Sequence, residues 1–116
     1  MIPRKNRLQL RGNAEFFNTA GKIHGRLVTV FYQYSDKSSP EIAVIVSKKT
    51  ASKATQRNRM KRAVGSIVTE LLDDVAGLGL QAAIVIQKPA LTASRSETKQ
   101  AIQKIFNIIV DEKNRR

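Results

Sequence analysis

Ala82–Gln87 is apolar at consecutive positions, Ala-Ala-Ile-Val-Ile before a single Gln, rather than at alternate ones. A strand with that pattern is buried on both faces, so it belongs inside a sheet with cover on each side. The rest of the chain has to supply flanking strands and covering layers. Leu27–Tyr34 alternates as a strand, with Val28, Val30, Tyr32 and Tyr34 on one face and Leu27, Thr29, Phe31 and Gln33 on the other. Asp36–Pro40 reads as a turn, Ile42–Ser47 as a second strand, and Lys22–Arg26 is the candidate for a short further one. Pro89 closes the apolar run, and Gly77 and Gly79 break the chain before it.

The covering layers are helical. Met60, Val64, Ile67, Val68 and Leu71 recur at three- and four-residue spacing, which predicts a helix over Gln56–Asp73 with Thr55 as its cap. Ser94 and Glu97 have capping-box spacing ahead of Ala101, Ile102, Ile105, Phe106 and Ile109, a second amphipathic helix to about Asp111. Asn13 is a plausible cap for a short helix through Ala20 that carries Phe16 and Phe17, with Gly21 ending it. The expected class is α+β, in the order αβββαβα. It is a single-domain α/β sandwich in which a mixed sheet of about four strands packs with three helices. The domain takes in residues 1–116, with a basic N-terminal arm at 1–12 and a basic tail at 112–116.

Charge narrows the function. Twenty-one Lys and Arg oppose nine Asp and Glu, a net charge of +12, which favours polyanionic partners through counterion release. Seven of the basic residues lie between Lys48 and Arg62, and no acidic residue occurs between Glu41 and Glu70. On a helical wheel Asn58, Arg59, Lys61, Arg62 and Gly65 fall opposite the apolar stripe, while Arg57 points nearer to it. Cations in the first turns of a helix oppose its dipole at a cost of roughly 0.3–1 kcal/mol each. Free amides at the same end suit phosphate, which turns that cost into a reason to expect an anion.

Intrinsic catalysis is not expected. His24 is the single histidine, cysteine is absent, and no Gly-x-x-x-x-Gly-Lys motif occurs. Asp73, Asp74, Asp111 and Glu112 read as solvated helix ends, so no metal ligand set and no small-molecule substrate are expected. The first residues carry no apolar run of signal-peptide type, and no stretch approaches the roughly 18 apolar residues that span a bilayer. No membrane partner and a cytoplasmic location are therefore the expectation.

The string Ser47-Lys48-Lys49, seven residues, then Arg57-Asn58-Arg59-Met60-Lys61-Arg62 closely resembles the signature of the protein subunit of bacterial ribonuclease P. Asn6-Arg7-Leu8 is similar to that family's basic N-terminal segment, Phe16 to the aromatic of its first helix, and Lys88-Pro89-Ala90 to the residues after its last strand. The resemblance spans about residues 5–110. It implies binding of a large catalytic RNA through Arg57, Asn58, Arg59, Lys61 and Arg62, with Asn6 and Arg7 in the N-terminal arm. It also implies a cleft for the single-stranded 5′ leader of precursor tRNA, lined by Phe16, Ser47, Lys48, Lys49 and Lys88; strand alternation offers Tyr32 or Tyr34 as its floor. Magnesium is implied in the holoenzyme, held mainly by RNA, and a left-handed βαβ crossover is implied in the fold. Two positions depart from the family pattern: Ala20 stands where a second aromatic is common, and Thr50-Ala51-Ser52 lacks the usual glycine. Read without the resemblance, Phe16 is a core residue of a short helix, and Tyr32 and Tyr34 are ordinary half-buried strand residues. The competing function is a structural ribosomal or RNA-chaperone protein, indifferent to a 5′ leader.

Overall fold

The structure, a computed structural model, describes residues 2–13 and 15–115. Met1 of the predicted arm, Ala14 of the first predicted helix and Arg116 of the tail lie outside the described residues. The elements are α1 (Phe16–Thr19), β1 (Gly21–His24), β2 (Val28–Tyr34), β3 (Glu41–Ile45), α2 (Ala54–Leu71), β4 (Leu80–Ile86) and α3 (Arg95–Asn114). Short 3-10 turns occupy Arg4–Asn6, Leu72–Val75 and Lys88–Leu91.

The sheet order is β1-β2-β4-β3. β4 lies between β2, antiparallel to it, and β3, parallel to it, so the residue run that is apolar at every position sits inside the sheet. Its two faces have different covers. Val28, Val30 and Tyr32 of β2, Ile42 of β3, and Ala82, Ile84 and Ile86 of β4 pack with Val64, Ile67, Val68 and Leu71 of α2 and Ile102, Ile105, Phe106 and Ile109 of α3. On the other face Ala83 packs with Phe16 of α1 and Leu8 of the N-terminal segment, with Leu10 and Ala20 beside them, a thin cover where the first face has two long helices.

Local sequence explains most boundaries. Ser94 Oγ accepts from the Glu97 amide at 3.1 Å and Glu97 Oε1 accepts from the Ser94 amide at 3.2 Å, a complete capping box that starts α3 where expected. Gly79 has a φ of +69°, and a Cβ there would come within 2.2 Å of the Ser35 carbonyl oxygen, so the turn into β4 needs glycine. Gly21 opens β1 instead of ending a helix: a Cβ at this position would meet the Tyr32 ring at 2.8 Å.

Other boundaries moved. α1 has four residues, and its N-cap is Glu15 without a side-chain bond, because Asn13 accepts the Phe16 amide through its backbone oxygen at 3.2 Å. α2 begins one residue after Lys53, which caps without a side-chain bond, so Thr55 lies inside the helix. α3 runs through Asn114 and takes in most of the predicted tail. The N-terminal segment is docked against the sheet. Ile2, Asn6 and Leu8 are buried, and Leu8 donates its amide to the Ile42 carbonyl at 3.0 Å in a single bridge with β3.

Candidate nucleic-acid interface

β3 and β4 run parallel, so the turn after β3, the residues after β4 and the start of α2 come to one end of the sheet. The turn is built by Ser47. Its carbonyl accepts the amides of Thr50 and Ala51 at 3.1 and 3.0 Å, and its hydroxyl donates to Thr50 Oγ1 at 3.2 Å. Thr50 Oγ1 in turn reaches the Ile86 carbonyl at 3.4 Å, tying the turn to the end of β4. Lys48 and Lys49 are thereby held exposed at the tip, with Lys88 exposed just beyond β4. Ser47 is the framework of this turn, and the two lysines are what it presents.

On α2, Asn58, Arg59, Lys61 and Arg62 are exposed as the wheel predicted, whereas Gly65 is buried against the edge of the sheet. Lys53 and Arg59 border a hollow of about 350 Å³ at the helix start. Arg57 differs from its neighbours. Its Nη1 donates to the carbonyls of Ala51 and Ser52 at 2.9 and 2.8 Å, so it clamps the loop that enters the helix. The four ion pairs among the described residues are Arg26–Glu97, Lys37–Glu41, Arg95–Glu70 and Lys99–Glu70. None uses the seven basic residues of the Lys48–Arg62 segment. Positive charge there faces solvent without a carboxylate, while Glu70 of α2 pairs with Arg95 and Lys99 of α3, and Glu97 of α3 pairs with Arg26. Arg95, then Lys99, holds the Glu70 carboxyl below its ordinary value, and the Ser94 backbone and hydroxyl do the same for Glu97.

The second chemical surface is the lightly covered sheet face. Strand register places His24 and Lys22 of β1, Thr29, Phe31 and Gln33 of β2, Gln81, Ala83 and Val85 of β4, and Glu41, Ala43 and Ile45 of β3 on it together. Phe31 is half-buried in its middle. Phe17 of α1, 38% exposed, meets it edge-to-face at 5.0 Å, and Lys22 Nζ lies 5.6 Å from the Phe31 ring centre. Toward the end that carries Lys48, Lys49 and Lys88, Gln87 donates to Thr29 Oγ1 at 2.8 Å, and Thr29 Oγ1 is 2.8 Å from His24 Nδ1. At the other end Gln33 donates to Gln81 and Gln81 to Glu41, at 2.8 and 3.0 Å. An aromatic pair with a cation beside it, bordered by amides and lysines, is suited to single-stranded nucleic acid, which offers base faces and phosphates alike.

Four expected contacts need correction. Tyr32 is on the opposite face, 8% exposed, and its hydroxyl donates to Glu112 of α3. Strand alternation forces this: Tyr32 shares parity with Val28 and Val30, which the helices bury, and Phe31 takes the open face. Tyr34 is on Tyr32's side as well, with its hydroxyl on the Ile109 carbonyl at 3.2 Å. Phe16 is 1% exposed, so its ring is core, and Phe17 is the aromatic of α1 that solvent reaches. Asn6 is 4% exposed and donates to the Pro40 carbonyl at 2.7 Å, a structural anchor for the N-terminal segment, while Arg7 beside it is exposed. The signal for Phe31 was present in the sequence as the single large aromatic on the Leu27, Thr29, Phe31 and Gln33 face of the strand. Nothing in the sequence distinguished Phe17 from Phe16.

The model of the family described as Ribonuclease P matches residues 2–110. The ribonuclease P protein components of Bacillus cereus strains B4264 and ATCC 14579 are 30% and 32% identical, over 90% of this chain and 91% and 90% of theirs. Among solved structures, the ribonuclease P protein of Thermotoga maritima superposes with a TM-score of 0.77 at 18% identity, covering 86% of this chain and 94% of that one. A Staphylococcus aureus ribonuclease P protein, a mutant with defective mRNA degradation activity, superposes at 0.79 with 15% identity, covering 91% and 89%. At those identities the structures speak for the shared fold.

Proposed function

The chain belongs to the ribonuclease P protein family, and we propose from that premise that it binds two RNAs through two different surfaces. As a component of an endoribonuclease it acts with an RNA partner. In this reading the exposed face of α2, with Arg59, Lys61 and Arg62, neutralises phosphates of the catalytic RNA, and Asn58 is within the same contact. The lightly covered sheet face receives the single-stranded 5′ leader of precursor tRNA, with Phe17 and Phe31 against its bases and Lys22, Lys48, Lys49 and Lys88 along its phosphates. The observation that carries the reading is the open aromatic–cation strip beside an uncompensated basic turn. A purely structural RNA-binding protein needs the charge but not the strip.

The protein's part in the reaction is alignment. Holding a substrate in register with a catalytic centre converts a diffusive encounter into a positioned one. Magnesium is proposed for the assembly, held mainly by RNA phosphates. Among the described residues no three His, Asp or Glu side chains gather, so no residue of this chain is assigned to the ion and no step is routed through it. No helix among those residues is long and apolar enough to cross a membrane; action in the cytoplasm is part of the proposal.

The test is reconstitution with a bacterial ribonuclease P RNA at low magnesium, using precursor tRNA with long and short 5′ leaders. Rescue of cleavage together with tighter binding of the long-leader substrate is expected. Rescue without leader dependence would refute the sheet-face assignment. No rescue by a folded protein would refute the functional reading itself.

A further inference from the structure

β3 is the outermost strand of the sheet, and its free edge is only partly covered. The N-terminal segment makes one bridge to it, at Ile42, and then leaves, since Leu8 and Leu10 turn onto the opposite face to pack around Phe16. Backbone groups of successive strand residues point to opposite edges, so those of residues two apart share an edge. Because the Ile42 carbonyl accepts the Leu8 amide on the outer side, Val44 also directs its N–H and C=O outward. Among the described residues that pair has no hydrogen-bond partner. Val44 opens into a groove of about 380 Å³ between the strand edge, the N-terminal segment and α2. Its apolar walls are Ile2, Leu8, Ile42 and Val44, and its cations are Arg7, Lys61 and Arg62. None of the three cations is in an ion pair among the described residues, and Arg7 is steadied by its Nε, which donates to the Ile2 carbonyl at 2.9 Å.

We infer that this groove holds one unstacked nucleotide of the protein's RNA partner. The base enters between the apolar walls, its Watson–Crick edge bonds the Val44 N–H and C=O, and its phosphates lie on Arg7, Lys61 and Arg62. Three features choose this occupant. Three cations and no carboxylate line the groove, which is complementary to a phosphate chain and unfavourable to a peptide of mixed charge. One unpaired N–H and C=O pair stands between the bridge at Ile42 and the end of the strand at Ile45, too short an edge for an added β-strand, which usually has at least three residues. The volume lies within the range of roughly 300–1,000 Å³ usual for a site that buries one small ligand. Every nucleobase carries a donor beside an acceptor on its Watson–Crick edge, so the site distinguishes an unpaired base from a paired one rather than one base from another. Single-stranded loops and bulges are where such bases are available.

The inference rests on the functional reading only in taking RNA as the partner, and its test uses neither the catalytic RNA nor precursor tRNA. The full chain, labelled with 15N, is titrated with rA5, with rU5 and with a pentamer of abasic ribose phosphates of the same charge. Expected are a shift and slowed hydrogen exchange of the Val44 amide with rA5 and rU5 alike, and neither with the abasic pentamer. Val44→Pro removes the donor at an edge position. It should weaken rA5 and rU5 binding about tenfold when read at the Gly65 amide, the size of one net hydrogen bond, and leave the abasic pentamer unaffected. If Val44→Pro fails to fold, exchange at Val44 in the unmodified chain decides. An equal response to the abasic pentamer would overturn the inference, since the groove would then bind phosphate alone. Protection of Val44 that grows with protein concentration without RNA would also overturn it, in favour of strand pairing between two copies.

Discussion

The four exposed or half-buried cations of the α2 start have unequal roles, and salt dependence separates them. Arg59, Lys61 and Arg62 are exposed and have no carboxylate partner, whereas the Arg57 guanidinium is held by two loop carbonyls at 2.9 and 2.8 Å. Each phosphate contact contributes about 0.7–0.9 to the slope of log affinity against log salt. The variant Arg59→Ala/Lys61→Ala/Arg62→Ala should therefore lower the slope by about 2–3 units. Between roughly 50 and 200 mM salt, it should lose about 20- to 40-fold less affinity than the parent chain does. Arg57→Ala should leave the slope nearly unchanged. Its cost should appear as lost stability of about 1–2 kcal/mol, because two carbonyls lose a charged donor at a partly buried site. The assay is fluorescence anisotropy of labelled ribonuclease P RNA across that salt range, with denaturant melts of each variant alongside. An unchanged slope in the triple variant would remove the helix from the interface. A slope change in Arg57→Ala as large as one third of the triple variant's would show that the loop clamp seen here does not describe Arg57 in the complex.

Three further outcomes follow from the geometry. Phe17→Ala or Phe31→Ala should weaken binding of long-leader precursor by roughly 1–3 kcal/mol per lost stacking contact, while Tyr32→Phe, on the helix-covered face, should leave leader affinity unchanged; a matched loss in Tyr32→Phe would contradict the face assignment. Ser94→Ala removes the capping box of α3 and should cost about 1 kcal/mol in urea melts, with Ser94→Asp restoring most of it; no loss on going to Ala would mean the box is not formed in solution. Glu70 and Glu97 have folded-state carboxyl values below the ordinary 4.5. Their contribution is thus fully present above that pH and is lost as pH falls through their lowered values. Glu70→Gln should flatten the acid limb of a stability-against-pH curve by a small amount, since the pairs are exposed and solvent-screened; a steeper acid limb in that variant would have the wrong sign.

The periodicities that survived into the structure are those with long, repeated spacing. α2 and α3 were legible because an apolar stripe over four or five turns has one geometric interpretation, and the capping box of α3 set its first residue. β4 was legible because an unbroken apolar run is compatible only with a strand covered on both sides. Short elements were less so. α1 makes one turn, too brief for its phase to show which of Phe16 and Phe17 points inward. The N-terminal segment looked like a free arm because its anchors, Asn6 on Pro40 and Leu8 on Ile42, are contacts across more than thirty residues that leave no local pattern.

By itself the sequence determined the class of fold, the two long helices and their buried faces, the central strand, and a concentration of positive charge that acidic residues do not offset. It also determined which β2 residues share a face. Only the tertiary structure decided which face remains open, because that depends on where α1 and α3 dock rather than on β2's own alternation. Tertiary structure likewise buried Asn6 and Phe16, tied Arg57 to the Ala51 and Ser52 carbonyls, and brought Phe17, Phe31 and Lys22 together. Periodicity records what a residue does relative to its neighbours along the chain. The choice of partner across the sheet is made by long-range packing, where the burial of whole surfaces outweighs the preference of any single side chain.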